Sequence, residues 1–218
     1  MVPAPGSAVL SYVADPMCSW CWGFAPEWER VRAELARTRP ELTVRLVLGG
    51  LASDSDEPMP PATRTYVQGQ WSAVERRTGA RFDWSFWERC APRRSTWPAC
   101  RAVIAAEALR SGAGEALFGA IQRAYCLEAR NPSDEDVLVD LAAELDPPLA
   151  RDAFAAELRA PATAERLAAD LALARELGAT GFPTVVLSEG GVNRIVSRGY
   201  EPAGTVLERL EVARRSGT

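Results

Sequence analysis

Cys18 and Cys21 lie one helical turn apart in the run Asp15-Pro16-Met17-Cys18-Ser19-Trp20-Cys21-Trp22-Gly23-Phe24. That spacing sets two sulfurs side by side. If a helix starts at Cys18, its sulfur meets unpaired backbone N–H groups and the positive end of the helix dipole, and both favour thiolate over thiol. Thiolate is the species that attacks disulfides, and a second sulfur within reach can resolve the mixed disulfide that forms. The same spacing could hold half of a zinc site. The other half is missing, because Cys90 and Cys100 are too widely separated to form a second such pair and the chain has no histidine. No metal and no cofactor is expected.

Composition removes most other chemistries. The 25 basic residues are all arginine, with neither lysine nor histidine present. This excludes a histidine general base, Ser-His and Cys-His dyads, Schiff-base lysines and the phosphate-loop lysine. The basic residues intermingle with 29 acidic ones for a net charge of −4, so no basic stripe suits nucleic acid. A length of 218 residues at 47% hydrophobic is enough to bury a sizeable core. No apolar run reaches membrane-spanning length, and Met1–Ala8 has neither the charge nor the apolar run of a secretion signal. These features predict a cytoplasmic protein. Five cysteines, an odd number, argue against a fully paired structural framework, and in a reducing compartment a Cys-x-x-Cys pair serves redox or metal chemistry.

To present two sulfurs at a helix start, a strand must lead in and a helix must follow. The short apolar run Ala8 to Ala14 stops at Asp15-Pro16 and predicts a buried strand. Trp22, Phe24, Trp28, Val31 and Leu35 then recur at helical spacing, with Pro26 in the first turns and an end near Arg39-Pro40. Leu42 to Leu48 reads as a second strand closed by Gly49-Gly50, parallel to the first through a right-handed crossover.

A polar loop from Ser53 to Pro61 opens a long helical stretch. Tyr66, Val67, Trp71 and Val74 share a face that stops at Gly79, and another helix runs from Trp97-Pro98 through Val103, Ile104 and Leu109 to Gly112. Leu117, Phe118, Ile121 and Tyr125 mark a third. Ser133 with Asp136 suggests a capping box before Val137, Leu138, Leu141 and Leu145. After Pro161 a helix bearing Leu167, Leu171, Ala174 and Leu177 ends at Gly178. Thr180-Gly181-Phe182-Pro183-Thr184 leads into a hairpin, Val185 to Leu187 and Val192 to Ser197 about Glu189-Gly190-Gly191, and a last helix from Pro202 uses Val206, Leu207 and Leu210. The reading is an α/β fold with residues 54–160 as an all-helical insertion subdomain.

That order of elements resembles the thioredoxin fold, carried by residues 1–53 and 161–218. With its inserted helical block it resembles the DsbA family over nearly the whole chain. Asp15 to Phe24 and Thr180 to Thr184 are the most specific segments, and together they are similar to the cytoplasmic FrnE-like branch, described as predicted disulfide isomerases. The resemblance implies a thiol–disulfide oxidoreductase, acting as reductase or isomerase on a disulfide-containing protein or a small thiol such as glutathione. Within it Cys18 is the nucleophile, Cys21 the resolving thiol, and Phe182-Pro183 a cis peptide packed against the pair. Trp20, Trp22 and Phe182, beside the cysteines or the proline, and Thr184 are candidate substrate contacts. Strongly oxidising members carry Pro-His between their cysteines. Ser19 and Trp20 supply no such cation, so a less stabilised thiolate and a more reducing pair are expected.

The resemblance also bounds the alternatives. Kappa-class glutathione transferases and hydroxychromene-carboxylate isomerases share the architecture but place a single Ser or Cys at the helix start, and Cys21 argues against them. An iron–sulfur centre shared between two chains through glutathione is a lesser alternative, as is a non-catalytic partner-binding protein. Cys90, Cys100 and Cys126 read as buried or half-buried free thiols, with an auxiliary Cys90–Cys100 redox pair as the rival. Most of the seven tryptophans read as packing residues. Arg101 resembles a family helix start or is a solvated arginine, and Asp15 either tunes the thiols or caps the turn. No nucleic-acid or membrane partner is expected, and the chain is expected to be a monomer or homodimer.

Overall fold

A computed structural model describes residues 8–215; the Met1–Ala8 segment therefore falls almost wholly outside the described residues. Strand β1 (Val9–Ala14) is buried along its whole length, as befits a strand with neighbours on both edges and helices on both faces. It passes through the cysteine turn into helix α1 (Ser19–Thr38), which runs on through Pro26 and returns to β2 (Thr43–Leu48). Pro26 sits early in the helix, where its missing N–H removes a single backbone bond. The hairpin β3 (Thr184–Glu189) and β4 (Val192–Arg198) completes a sheet of order β2-β1-β3-β4. β1 pairs parallel with β2 and antiparallel with β3, Tyr12 standing between Leu46 and Val185. Gly190 and Gly191 both have positive φ, +60° and +77°, as the tight turn of a twisted hairpin demands.

Between β2 and β3 lie the helices α2 (Pro61–Thr78), α3 (Phe86–Arg89), α4 (Trp97–Leu109), α5 (Ala113–Leu127), α6 (Glu135–Ala143), α7 (Arg151–Leu158) and α8 (Pro161–Glu176), and α9 (Ala203–Arg215) follows the sheet. The period-two alternation of β1 divides the core. Leu10, Tyr12 and Ala14 join Phe24, Trp28, Val31 and Leu35 of α1 in one hydrophobic cluster that continues into the helical block. Val13 turns to the other face, where Ala174 and Leu177 at the end of α8 cover Val47 and Val186.

Several expectations change at this level. The Ser133–Asp136 capping box does not form. Asp134 occupies the cap position with extended backbone and no side-chain cap bond, and the Ser133 hydroxyl instead donates to the Ser95 carbonyl at 3.2 Å. Tyr66 does not share the buried face of Val67, Trp71 and Val74 but is 60% exposed. Leu109 is likewise largely out of the core. The short helices α3 and α7 were not expected; α3 forms where Phe86 and Trp87 pack round the fully buried Trp71.

Candidate active site

One buried carboxylate organises the site. Asp15, at the end of β1, is fully buried, and its Oδ1 accepts from the Met17 N–H at 2.8 Å, closing the turn before the cysteines. Its Oδ2 accepts from the Leu51 N–H at 2.7 Å and the Thr96 hydroxyl at 2.6 Å, with the Cys100 thiol donating at 3.6 Å. The end of β1, the loop after β2 and the start of α4 are thereby tied to a single side chain. Burial pushes the Asp15 pKa up, while the bonds from Thr96, Leu51, Met17 and Cys100 oppose that push.

The turn sets the cysteines. Cys18 donates its N–H to the Asp15 carbonyl at 3.1 Å and occupies the N-cap of α1 with extended backbone (φ −80°, ψ 117°). Its side chain makes no cap bond. The sulfur lies instead 3.6 Å from the Phe182 carbonyl oxygen, 164 positions along the chain, in the loop that carries the cis Phe182–Pro183 peptide. Cys18 is only 6% exposed, but that exposure opens on a cavity of about 400 Å³ also bordered by Trp20, Met59, Arg94, Tyr125 and Phe182. A cleft of similar size along the β2 edge, bordered by Arg45, Glu107 and Asp170, contains no thiol.

Cys21 lies behind, fully buried, and the two thiols are free in this structure. Burial first, then the adjacent Cys18 sulfur, pushes the Cys21 pKa well up. The buried Tyr12 phenol beside Cys21 is also pushed well up, by burial first and then by the two cysteines, so it keeps its proton. Reach and access are thus divided: one sulfur faces a cavity, and the other is held protonated in the core next to it.

The remaining expected residues are placed as follows. Trp20 borders the cavity and donates its indole N–H to Gln70 Oε1 on α2 at 2.8 Å. Trp22 donates to the Arg81 carbonyl at 3.1 Å, so it fastens α1 to the loop after α2 and does not border the cavity. Phe182 borders the cavity and packs over Gly49, where a Cβ would sit 2.1 Å from its ring. Pro183 is buried and accepts the Gly199 N–H at 2.7 Å. Thr184, 1% exposed, braces the loop by donating its hydroxyl to the Gly181 carbonyl at 2.8 Å.

Cys90 donates to the Ala129 carbonyl whereas Cys100 donates to Asp15, so these two thiols are engaged with different partners. Arg101 grips Asp54 through two hydrogen bonds of 2.7 and 2.9 Å, outside the cavity. Three residues at the site went unnoticed in the sequence. Thr96 stands immediately before Trp97-Pro98, where a threonine signals a helix cap, yet its hydroxyl serves Asp15. Tyr12 is the one aromatic in an aliphatic strand. Arg94 brings to the cavity a cation that the residues between the cysteines lack.

Comparison with known proteins places this geometry. The sequence matches the protein family described as Thioredoxin over residues 12–196. A candidate protein disulfide isomerase from Nitrosomonas europaea superposes with a TM-score of 0.83 at 30% identity, covering 97% of this chain and 100% of that one. The cytosolic disulfide reductase DsbM from Pseudomonas aeruginosa superposes with a TM-score of 0.75, also at 30% identity, covering 95% and 98%. DsbM is also known in a structure with GSH. The ClpXP adapter protein SpxH of Bacillus subtilis is 25% identical over 173 residues, and the match covers 78% of this chain and 55% of that protein. The chain thus spans about half the length of that curated relative. A cysteine pair at a helix start facing a cis-proline loop, on a four-stranded sheet with a helical block between its strands, fits these matches, and the chain belongs to the thioredoxin family as a DsbA-like, thioredoxin-fold oxidoreductase.

Proposed function

We propose that this chain is a cytoplasmic reductase or isomerase of protein or small-molecule disulfides, with Cys18 as the attacking thiol and Cys21 as the resolving one. The observation that carries the reading is the asymmetry of the two sulfurs: Cys18 borders the cavity against the Phe182 carbonyl, while Cys21 is fully buried behind it. The Cys18 thiolate attacks one sulfur of a substrate disulfide, a Cys18–substrate mixed disulfide forms, and the other substrate sulfur leaves as thiolate. Cys21 then attacks the Cys18 sulfur, its proton passing to the departing substrate thiolate. The substrate leaves reduced and a Cys18–Cys21 disulfide remains, which two electrons from an external dithiol or from two glutathione molecules restore. In isomerisation a second substrate thiolate attacks the substrate sulfur of the mixed disulfide before Cys21 does, Cys18 leaves as thiolate, and no net electrons are exchanged.

Trp20 and Phe182 border the cavity in which the substrate sulfur would lie, Pro183 and Thr184 hold the loop that faces it, and Trp22 fixes the start of α1. In this reading the helical block of residues 54–160 is an insertion whose role is to wall the cavity, through Met59, Gln70 and Tyr125 among others. Glutathione is the small thiol favoured here, since a similar reductase is known in a structure with it. The transferase alternative has no use for Cys21.

Insulin reduction coupled to glutathione separates these readings. The wild type is expected to turn over, Cys18→Ser to fall to background, and Cys21→Ser to accumulate a mixed disulfide on Cys18 visible by mass spectrometry. Turnover unaffected by Cys18→Ser would contradict the assignment.

A further inference from the structure

We propose that Arg94 forms a carboxylate-binding subsite on the wall of the Cys18 cavity and selects small disulfides and thiols that carry carboxylates, of the size of glutathione. The proposal rests on the reading of Cys18 as the attacking thiol and specifies what that thiol is offered.

The charge distribution of the cavity is one-sided. Its charged lining residues are Arg93 and Arg94, and no aspartate or glutamate borders it. Arg93 is already neutralised. It pairs with Asp56 at 2.8 Å and Asp134 at 3.7 Å and donates to the Ser133 carbonyl. Arg94 is half-buried and makes no ion pair or hydrogen bond among the described residues. Arg94 and the buried Tyr125 both border the cavity.

A carboxylate is the group that matches an unpaired guanidinium, because its two oxygens can meet the guanidinium fork through two parallel N–H···O bonds.

The segment bearing Arg94 is held in place. The Pro92 carbonyl accepts the Met59 N–H at 3.0 Å, Arg93 pairs with Pro58 in an isolated β-bridge, and Thr96 donates its N–H to the Ala52 carbonyl at 2.9 Å and its hydroxyl to Asp15. With the backbone held, the Arg94 side chain is what remains to be ordered on binding. At about 400 Å³, the cavity falls in the range of small-molecule sites.

Binding of S-methylglutathione, whose blocked sulfur cannot exchange, tests the proposal without turnover. Calorimetry on the full chain is expected to show binding to the wild type, weakening about tenfold or more in Arg94→Gln, and an intermediate loss in Arg94→Lys, which keeps the charge but not the fork. The diethyl ester of S-methylglutathione should bind the wild type correspondingly weakly and show no further loss in Arg94→Gln. Thermal unfolding of each variant checks that the fold is intact. Equal binding of acid and ester, binding unchanged by Arg94→Gln, or no binding to the wild type would overturn the subsite. Reduction of the uncharged hydroxyethyl disulfide reports on Cys18 separately. Its retention alongside any of those failures removes the subsite alone, and its absence in the wild type removes the redox reading itself.

Discussion

Asp15 is the residue on which the site's electrostatics turn, because it is a fully buried carboxylate with backbone, hydroxyl and thiol donors but no cation paired with it among the described residues. Burial holds its pKa above the ordinary carboxylate value despite those donors. A carboxyl that binds its proton more tightly in the folded state favours folding at low pH, and that contribution is lost as pH rises through the raised value. In urea unfolding from about pH 4 to about pH 8, the wild type should therefore lose stability relative to Asp15→Asn as pH rises. A difference that stays constant, or that grows in favour of the wild type, would contradict this. At this scale the Cys18 and Cys21 pair is legible from type and spacing, and Pro183 only through the family resemblance. Tyr12, Thr96 and Arg94 are not, since each reaches the site through a fold contact that no local pattern encodes: a strand face, a hydroxyl turned from capping to Asp15, and a loop pinned beside the cavity.

Among elements, the Phe182–Pro183 loop packs closely against the end of β2. Gly49 exists there because the Phe182 ring occupies the place of a side chain, 2.1 Å from where a Cβ would sit. Gly49→Ala must push the ring, and with it the carbonyl that receives the Cys18 thiol. Overpacking of this kind costs about 1–3 kcal/mol. A lowered melting temperature together with slower disulfide exchange is the expected result, and exchange at the wild-type rate would show that the loop position does not matter. Strands and long helices were readable because their periodicities run over enough residues to be seen. α3 and α7 span too few turns for that. The start of α6 was misread because Ser133 satisfies Ser95 across the fold and leaves the cap position to Asp134.

At the level of the whole molecule, the sheet and the helical block share one continuous core. Trp71 is fully buried at the centre of an aromatic group formed with Phe82, Phe86, Trp87 and Tyr125. Its helix, α2, also supplies Gln70 and Val67 to the cavity wall. Trp71→Ala is expected to cost about 3–5 kcal/mol in urea unfolding, and to raise KM for small disulfides as the wall loosens. A loss well under 1 kcal/mol would mean that the aromatic group is not what holds the block together. The order of elements along the chain was enough to read this architecture. How the helices close over the cysteines depends on aromatic packing among distant residues, which order alone does not reveal.

The account depends most on Cys18 and Cys21 acting as one redox pair apart from the other three thiols. Equilibration of the protein in glutathione buffers of graded potential, followed by alkylation and peptide mass mapping, tests this most directly. The predicted outcome is an intramolecular Cys18–Cys21 disulfide that forms and breaks as one two-electron step, with Cys90, Cys100 and Cys126 alkylated as free thiols after denaturation at every potential. A Cys18 that stays reduced throughout, or a Cys90–Cys100 bond forming ahead of it, would contradict the account.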